Sequence, residues 1–306
     1  MTAIRALKNR LFKISFKQIG IAILVLKLLL IGYFIYIIAG SEGDVFSFDS
    51  TFFTFVAIGF FAQLIDGALG MAYGASSNAL LLHFGVPPRI ASASVHTAEV
   101  FTTGVSGLSH LRFKNIDKNL LIRLVIPGVV GAVAGAYFLS DLLHGDFIKP
   151  YISAYLIVLG SIILYKGIRN KPKEKKEVKR AGLLAFFGGL LDAIGGGGWG
   201  PIVTSNIINQ GKSPRETIGT VNTAEFFITF FATGVFLYYV GIDSWQVVLG
   251  LIIGGVFAAP IGAFLASRIN RRVLFIVVGL VVILTASLTI YKTVSDYAHT
   301  LAVLFR

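Results

Sequence analysis

The chain has 306 residues, of which 55% are hydrophobic and only 14% are charged, with a formal net charge of +12 and no cysteine. Soluble globular domains carry about 25% charged residues, so this composition excludes an ordinary soluble protein. Several apolar runs reach the roughly 20 residues that a transmembrane helix needs. We therefore predict an all-α polytopic membrane protein. Its basic residues belong in cytoplasmic loops, so we expect no nucleic-acid partner.

The first apolar run extends from Ile19 to Ala39 and follows a basic N-terminal segment. The apolar part of a cleaved signal peptide has about 7–15 residues, which is shorter than this run. The sequence Ile37-Ile38-Ala39 is also a poor cleavage site. We predict a retained first helix, so that residues 1–49 form a cytoplasmic N-terminus and the first transmembrane span.

The remainder of the chain contains an internal duplication. The segment LIDGALGMAYG at 64–74 aligns without a gap on LLDAIGGGGWG at 190–200, and PRIASASVHTAEVFTT at 88–103 aligns on PRETIGTVNTAEFFIT at 214–229. Such duplication is typical of secondary transporters. We predict a first repeat at 50–169, a charged cytoplasmic linker at 170–180, a second repeat at 181–292 and a C-terminal tail at 293–306.

The charge of each loop predicts the side of the membrane on which it lies, with basic loops in the cytoplasm. On this basis the loop at 41–50 lies outside and the loop near Arg112 lies inside, so the chain must cross an odd number of times between them. Two apolar stretches, 51–84 and 90–111, lie in that interval. One of the two therefore does not cross.

The non-crossing stretch in each repeat is the one whose middle holds an aspartate and glycines. Segments 51–84 and 181–209 divide there into halves of roughly 15 residues, below the roughly 17 that a span requires. We predict that both are re-entrant hairpins. The repeats then begin on opposite faces, which predicts an inverted-repeat transporter with about seven transmembrane helices plus two re-entrant, broken-helix hairpins.

The hairpin tips are the predicted substrate site. Broken helices leave free N–H groups that favour anions, and glycine lets a ligand approach the backbone closely. The candidate substrate-binding residues of the tips are Gly70, Gly74, Ser76, Ser77 and Asn78 in the first repeat and Gly195, Gly196, Gly197, Gly198 and Trp199 in the second. The alternative is that the small residues only permit close helix packing.

Charged residues of the hairpins have two interpretations each. Asp66 and Asp192 are ionisable residues inside the membrane, which makes them functional candidates. Each could equally be a cap that accepts the free N–H groups of the following half-helix. Arg89 and Arg215, at the hairpin ends, either steer anions or are solvated loop charges.

The helices after the hairpins repeat a polar face. HTAE at 96–99 and NTAE at 222–225 place His96 and Glu99 on one helix and Asn222 and Glu225 on the other. We count His96, Thr97, Asn222 and Thr223 among the substrate-binding candidates. A buried glutamic acid can hold a proton beside an anion and release it on one side, so Glu99 and Glu225 are candidates for proton coupling. The alternative is a buried hydrogen-bonded pair that fastens hairpin to helix.

These motifs resemble those of the TauE/SafE sulfite exporter family, most specifically in LLDAIGGGGWGPIVT and TVNTAEFF. The first repeat departs from the glycine-rich form at Leu69, Met71 and Ala72. The resemblance implies export of sulfite, sulfoacetate or a related organosulfonate across the bacterial inner membrane. The expected partners are the small anion and the lipid bilayer.

The sequence lacks the motifs of other functional classes. The aspartates lack the Gly-x-Gly-Asp motif of intramembrane diaspartyl proteases, so we expect no enzyme and no catalytic residue. His83, His110, His144 and His299 lack metal-ligand spacing, so we expect neither a metal site nor a cofactor. A passive anion channel or a transporter of another small organic anion remains an alternative. The sequence leaves the oligomeric state open, with a homodimer among the possible partners.

Overall fold

The computed structural model describes residues 15–40, 49–69, 71–143, 146–168, 178–241, 245–266 and 271–304. Every regular element within these ranges is helical, which confirms the predicted all-α class. The ranges contain eleven α-helices, in the order α1 Phe16–Gly40, α2 Ser50–Leu69, α3 Tyr73–His83, α4 Pro88–Arg112, α5 Lys118–Tyr137, α6 Lys149–Ile168, α7 Ala181–Gly195, α8 Ser205–Asn209, α9 Pro214–Tyr239, α10 Trp245–Ala266 and α11 Arg271–Leu304.

Long apolar helices dominate this order, as a multi-pass membrane protein requires. Six described helices contain a stretch long and apolar enough to cross a membrane, namely Phe16–Tyr36, Ser50–Gly67, Lys118–Leu142, Lys149–Ile168, Pro214–Tyr239 and Phe275–Asp296. Helix α4 has 25 residues and is long enough, but it carries buried polar residues such as His96 and Glu99. Helix α11 continues without a break from 271 to Leu304, so residues 293–304 of the predicted tail extend the last helix.

Helices that the sequence duplication makes equivalent pack against each other in opposite directions. In the pair α4 and α9, Gly104 lies against Phe226, and Gly107 lies against Thr223. The contact positions rise along one helix as they fall along the other, so the two helices are antiparallel. Helices α6 and α11 show the same relation, with Gly167 beside Phe275 and Gly160 beside Ile283.

In two further packed pairs the helices are not each other's equivalents. The duplication aligns α2 with α7 and α10 with α5, so the pair α2–α10 corresponds to the pair α7–α5. Helix α2 runs along α10, where Gly254 meets the backbone of Val56. Helix α5 runs along α7, where Gly131 meets the backbone of Phe186. Glycine at these positions allows the helix backbones to touch, which is how membrane helices gain packing energy without a hydrophobic driving force.

The two predicted hairpin segments are both broken at the predicted places, but their halves are unequal. Helix α2 has 20 residues and α3 has 11. Helix α7 has 15 residues, and its partner half consists of a five-residue π-helical turn, Gly200–Thr204, followed by the five residues of α8. The prediction of halves near 15 residues fits α7 alone. Helix α2 is longer, and its stretch Ser50–Gly67 is long enough to cross a membrane, while both second halves are shorter.

The second segment begins and ends at the same end of the helix bundle. The backbone N–H of Lys179, just before α7, donates to Oε1 of Gln210, just after α8, at 2.7 Å. The carbonyl of Val178 also accepts from the Arg123 guanidinium at 3.2 Å. The start of α5, the start of α7 and the end of α8 therefore share one end of the bundle. The charged residues 169–177 of the linker lie outside the described part of the chain.

An ion pair joins the two predicted repeats at this end. Asp117 caps α5 by accepting from the N–H groups of Asn119 and Leu120, and it binds Nζ of Lys212 at 2.6 Å. Burial alone raises the pKa of the Asp117 carboxyl, but the hydrogen bond from Lys212 and those from the backbone outweigh it and hold that pKa below its usual range. The hydrogen bond to Asp117 likewise raises the pKa of the Lys212 ammonium.

A labelling experiment tests whether the second segment returns to its starting face. The natural chain has no cysteine, so single cysteines can be introduced directly. We expect Lys179→Cys and Ser213→Cys to react only after the cells are permeabilised, and Tyr151→Cys to react from outside intact cells. Labelling with a membrane-impermeant maleimide checks this. Reaction of Lys179→Cys and Ser213→Cys from opposite sides would show that the segment crosses.

The ion pair predicts a pH-dependent contribution to stability. Because the folded pKa of Asp117 lies below the unfolded value of about 3.9, the pair stabilises fully above about pH 4 and loses this effect as the pH falls through the folded pKa. We expect Asp117→Asn, which keeps the capping oxygen, to lower the free energy of unfolding by about 1 kcal/mol at pH 7 and by less in acid. Thermal unfolding in detergent measures this. Glu216→Gln is the control, because Glu216 lies 3.4 Å from Lys212 and is more exposed; an equal loss there would contradict the assignment.

Candidate functional site

The two broken segments meet at their breaks, deep in the bundle. A Cβ atom on Gly197 would overlap the backbone of Gly74 and Ala75, and one on Gly74 would lie 2.9 Å from Cα of Gly197. The Asn78 side-chain amide donates to the carbonyl of Gly195. The tips therefore cross backbone to backbone, and a side chain on either central glycine would separate them.

The remaining glycines of the run are also accounted for by close neighbours. The ring of Tyr155, from α6, fills the space beside Gly195 and Gly198, and its hydroxyl donates to the carbonyl of Gly197 at 3.1 Å. Gly196 ends α7 with a left-handed φ of 64°, which favours glycine. The packing interpretation of the run thus has direct support in these contacts. Substrate binding by the same glycines stays a prediction.

The aspartate before each break caps the half-helix that follows. Oδ1 of Asp192 accepts from the N–H of Trp199 at 2.8 Å, and the carbonyl of Asp192 accepts from the N–H of Gly197 at 3.1 Å. Asp66 accepts from the N–H of Tyr73, at the equivalent spacing of seven residues. Two amides predicted to face a substrate are therefore already bonded within the second tip.

Helix α4 brings a histidine to the end of α7. Nε2 of His96 lies 3.3 Å from Oδ2 of Asp192, and Nδ1 of His96 lies 2.9 Å from the carbonyl oxygen of Ser92. The Ser92 hydroxyl donates to the carbonyl of Ala193 at 2.6 Å. These contacts join α4 to the end of α7.

Glu99 follows on the same face of α4 and is 3% exposed. Its Oε1 lies beside Gly74, and its Oε2 has no hydrogen-bond partner. The carboxyl groups of Asp66, Asp192 and Glu225 are close enough to interact electrostatically with that of Glu99. Four carboxyl groups are thus gathered around the crossing.

A comparison with known proteins identifies the family. The model of the family described as Sulfite exporter TauE/SafE matches residues 55–289, which is more than two thirds of the chain. The chain belongs to the TauE/SafE sulfite exporter family.

Two relatives from Bacillus subtilis (strain 168) carry transporter names. The chain is 47% identical over 245 residues to the "Probable membrane transporter protein YtnM", covering 77% of this chain and 81% of the relative. It is 21% identical over 269 residues to the "Probable membrane transporter protein YunE", covering 79% of this chain and 98% of the relative. No solved structure matches the chain. The protein is therefore a multi-pass membrane transporter and not an enzyme, and its family implies a small anionic substrate.

Several predicted site residues of this TauE/SafE transporter donate their hydrogen bonds to backbone carbonyls, so those donors are not free for a substrate. The hydroxyls of Ser77, Thr97 and Thr223 donate to carbonyls of their own helices. Trp199 is fully buried, and its indole N–H donates to the carbonyl of Val221 at 3.3 Å. Gly70 lies outside the described residues.

Other predicted site residues have a buried polar atom without a hydrogen-bond partner, or lie on the polar face of α9. Oγ of Ser76 and Oδ1 of Asn78 are buried without a partner. The Asn222 amide donates to the Ser106 hydroxyl at 3.0 Å. Glu225, at the position equivalent to Glu99, is partly exposed.

The structure adds residues that the sequence interpretation missed. Lys166 of α6 donates to the carbonyl of Pro201 at 2.7 Å, next to the second break. Lys27 of α1 lies 3.4 Å from the carbonyl of Phe101 on α4. A charge inside an apolar run was the available signal for both lysines. Tyr155 carried no such signal, because an aromatic residue in an apolar helix is ordinary.

A surface cavity of about 430 Å³ lies at the end of the bundle that holds the Asp117–Lys212 pair. Its lining residues are His110, Ser213, Pro214, Arg215 and Ile218. Arg215 gives this cavity positive charge, as an approach for anions would require.

The crossing predicts a strong effect of a single methyl group. We expect Gly197→Ala to lower the free energy of unfolding by about 3 kcal/mol or more, because its Cβ meets backbone that cannot move aside. Gly234→Ala is the control, since nothing lies within 4 Å of its added Cβ. Alanine there should be neutral or stabilise by up to about 1 kcal/mol. Thermal unfolding in detergent compares the two, and equal stability would refute the crossing.

Proposed function

We propose that this TauE/SafE member is a secondary transporter that exports a small sulfur-containing anion across the bacterial inner membrane. The substrate class is sulfite, sulfoacetate or a related organosulfonate. The anion binds between the two hairpins near the bilayer midplane, in exchange with or together with protons. The observation that carries the proposal is the crossing of two broken helices, lined by buried polar groups, in a member of this family.

The depth of the crossing supports a site inside the hydrocarbon core. Helix α7 advances about 1.5 Å per residue, so its 15 residues carry the chain roughly 22 Å into the bundle. The hydrocarbon core is about 30 Å thick. Because Lys179 and Gln210 hold the ends of this segment together, its second half must come back toward the same face. This geometry supports a re-entrant hairpin.

The relation between the repeats supports alternating access. The equivalent helices α4 and α9 are antiparallel, as are α6 and α11, which is the arrangement expected of inverted repeats. In this proposal residues 50–169 and 181–292 are the two inverted units. Exchange of their conformations would open the crossing first to the cytoplasm, past the cavity beside Arg215, and then to the outside.

Positive charge must accompany an anion into a site surrounded by four carboxyl groups. Protons can supply that charge if a carboxyl is neutral while the anion is bound. Of the two sequence candidates we assign this role to Glu225, because it is partly exposed and water can deliver its proton. Glu99 is nearly inaccessible, so we do not assign the proton-coupling role to it.

Purified protein in liposomes tests the proposal. We expect flux of sulfite or sulfoacetate to increase when a pH gradient is imposed. Replacing Glu225 by Gln removes the titrating group, so gradient-driven flux should be abolished while exchange of substrate across the membrane persists. Flux is measured with labelled substrate.

The control is Glu216→Gln, which removes a carboxylate at the start of the same helix, at the surface. It should leave both activities intact. Flux that ignores the pH gradient would indicate a passive channel, and loss of driven flux and exchange together in Glu225→Gln would indicate a structural role. Absence of sulfite and organosulfonate flux would overturn the substrate class.

A further inference from the structure

We propose that His96, Glu99 and Asp192 form a binding site for one divalent transition-metal ion, of the class of Zn²⁺ or Co²⁺. Their ligand atoms lie within 4.8 Å of one another, and all three residues are buried. The ligands come from both repeats, because His96 and Glu99 lie on α4 and Asp192 lies on α7. This site goes beyond the transport activity proposed above.

The tautomer of His96 follows from its hydrogen bonding. Nδ1 lies 2.9 Å from the Ser92 carbonyl oxygen, which can only accept a hydrogen bond. Nδ1 therefore carries a hydrogen, and in the neutral ring Nε2 presents its lone pair. A histidine whose Nδ1–H binds a backbone carbonyl is oriented as metal-ligating histidines usually are.

The lone pair of Nε2 faces a carboxylate oxygen. Nε2 and Oδ2 of Asp192 are 3.3 Å apart, and neither has a hydrogen-bond partner when the ring is neutral. Two facing acceptors repel each other unless a positive particle lies between them. Ligand atoms about 2.05 Å from a tetrahedral Zn²⁺ lie about 3.3 Å from each other. The observed separation fits two adjacent ligands of such an ion.

Glu99 distinguishes a metal ion from a shared proton. A proton between His96 and Asp192 would satisfy those two atoms and leave Oε2 of Glu99 buried without a partner. A metal ion can take one ligand atom from each of the three residues. Nitrogen with carboxylate oxygen is a ligand set that Zn²⁺ accepts. The His96 ring also lies 5.5 Å from that of Phe236, which places apolar surface beside the site.

The second repeat provides a natural comparison. The positions equivalent to His96, Glu99 and Asp192 are Asn222, Glu225 and Asp66. Asparagine is a poor ligand for this class of ion, and Asn222 is engaged with Ser106. The proposal therefore specifies one ion per chain.

Cobalt binding tests the site without a transport assay. The full chain is purified in detergent, dialysed against a chelator and titrated with Co²⁺, whose visible absorption reports low-coordinate nitrogen and oxygen ligation. We expect one equivalent to bind and Zn²⁺ to displace it. His96→Asn, which introduces the second repeat's own residue, should weaken binding by about 100-fold or more, since even outer-shell changes cost 10–100-fold.

His110→Asn is the matched control, because His110 lies on the same helix outside the three ligands. It should leave the cobalt spectrum and the affinity unchanged. Size-exclusion profiles verify that each variant is folded. Failure of the natural chain to bind one equivalent, or a cobalt band that survives His96→Asn, overturns the site. Neither result depends on whether sulfite or an organosulfonate is transported.

Discussion

A helix that stops inside a membrane must find partners for the amides and carbonyls that it frees, and the site of this protein depends on how that is done. Asp192 and Asp66 each accept an N–H of the half-helix that follows. Asn78 and Tyr155 donate to carbonyls of the second tip. With these groups satisfied, non-helical backbone is stable at a depth where water is scarce, and the polar faces of α4 and α9 can gather around it.

The two tips differ in the residues that form the break. The second tip uses glycine at every crowded position, whereas the first has Ala72 in the left-handed region with a φ of 84°. An alanine in that conformation costs roughly 1–2 kcal/mol, which neighbouring contacts must offset. The polar faces differ as well, because only the first repeat has a histidine where the second has Asn222. The two halves of the duplication therefore share a framework but differ in the polar groups that they present.

Much of this arrangement can be predicted from the sequence, because it depends on residues that are close together in the chain. The aspartate and glycines inside apolar runs predicted the positions of both breaks, and helical spacing placed His96 and Glu99 on one face. The alternative that Asp66 and Asp192 are caps is supported by their hydrogen bonds.

What the sequence did not predict depends on contacts between distant segments. The approach of Asp192 to His96 joins residues from different repeats, so no spacing rule could find it. The role of Tyr155 beside the glycines depends on how α6 packs. The unequal halves of the first segment reflect where its break lies, after Leu69 and so nearer the end of the segment than its start.

The backbone contact between the two tips limits how they can move relative to each other. Gly197 lies against Gly74 and Ala75 with no room for a side chain between them, so neither tip can withdraw without sliding past the other's main chain. This main-chain contact holds the two tips together as one unit. In the proposed transport cycle, the long helices around the tips would therefore supply the displacement that opens the site to either side.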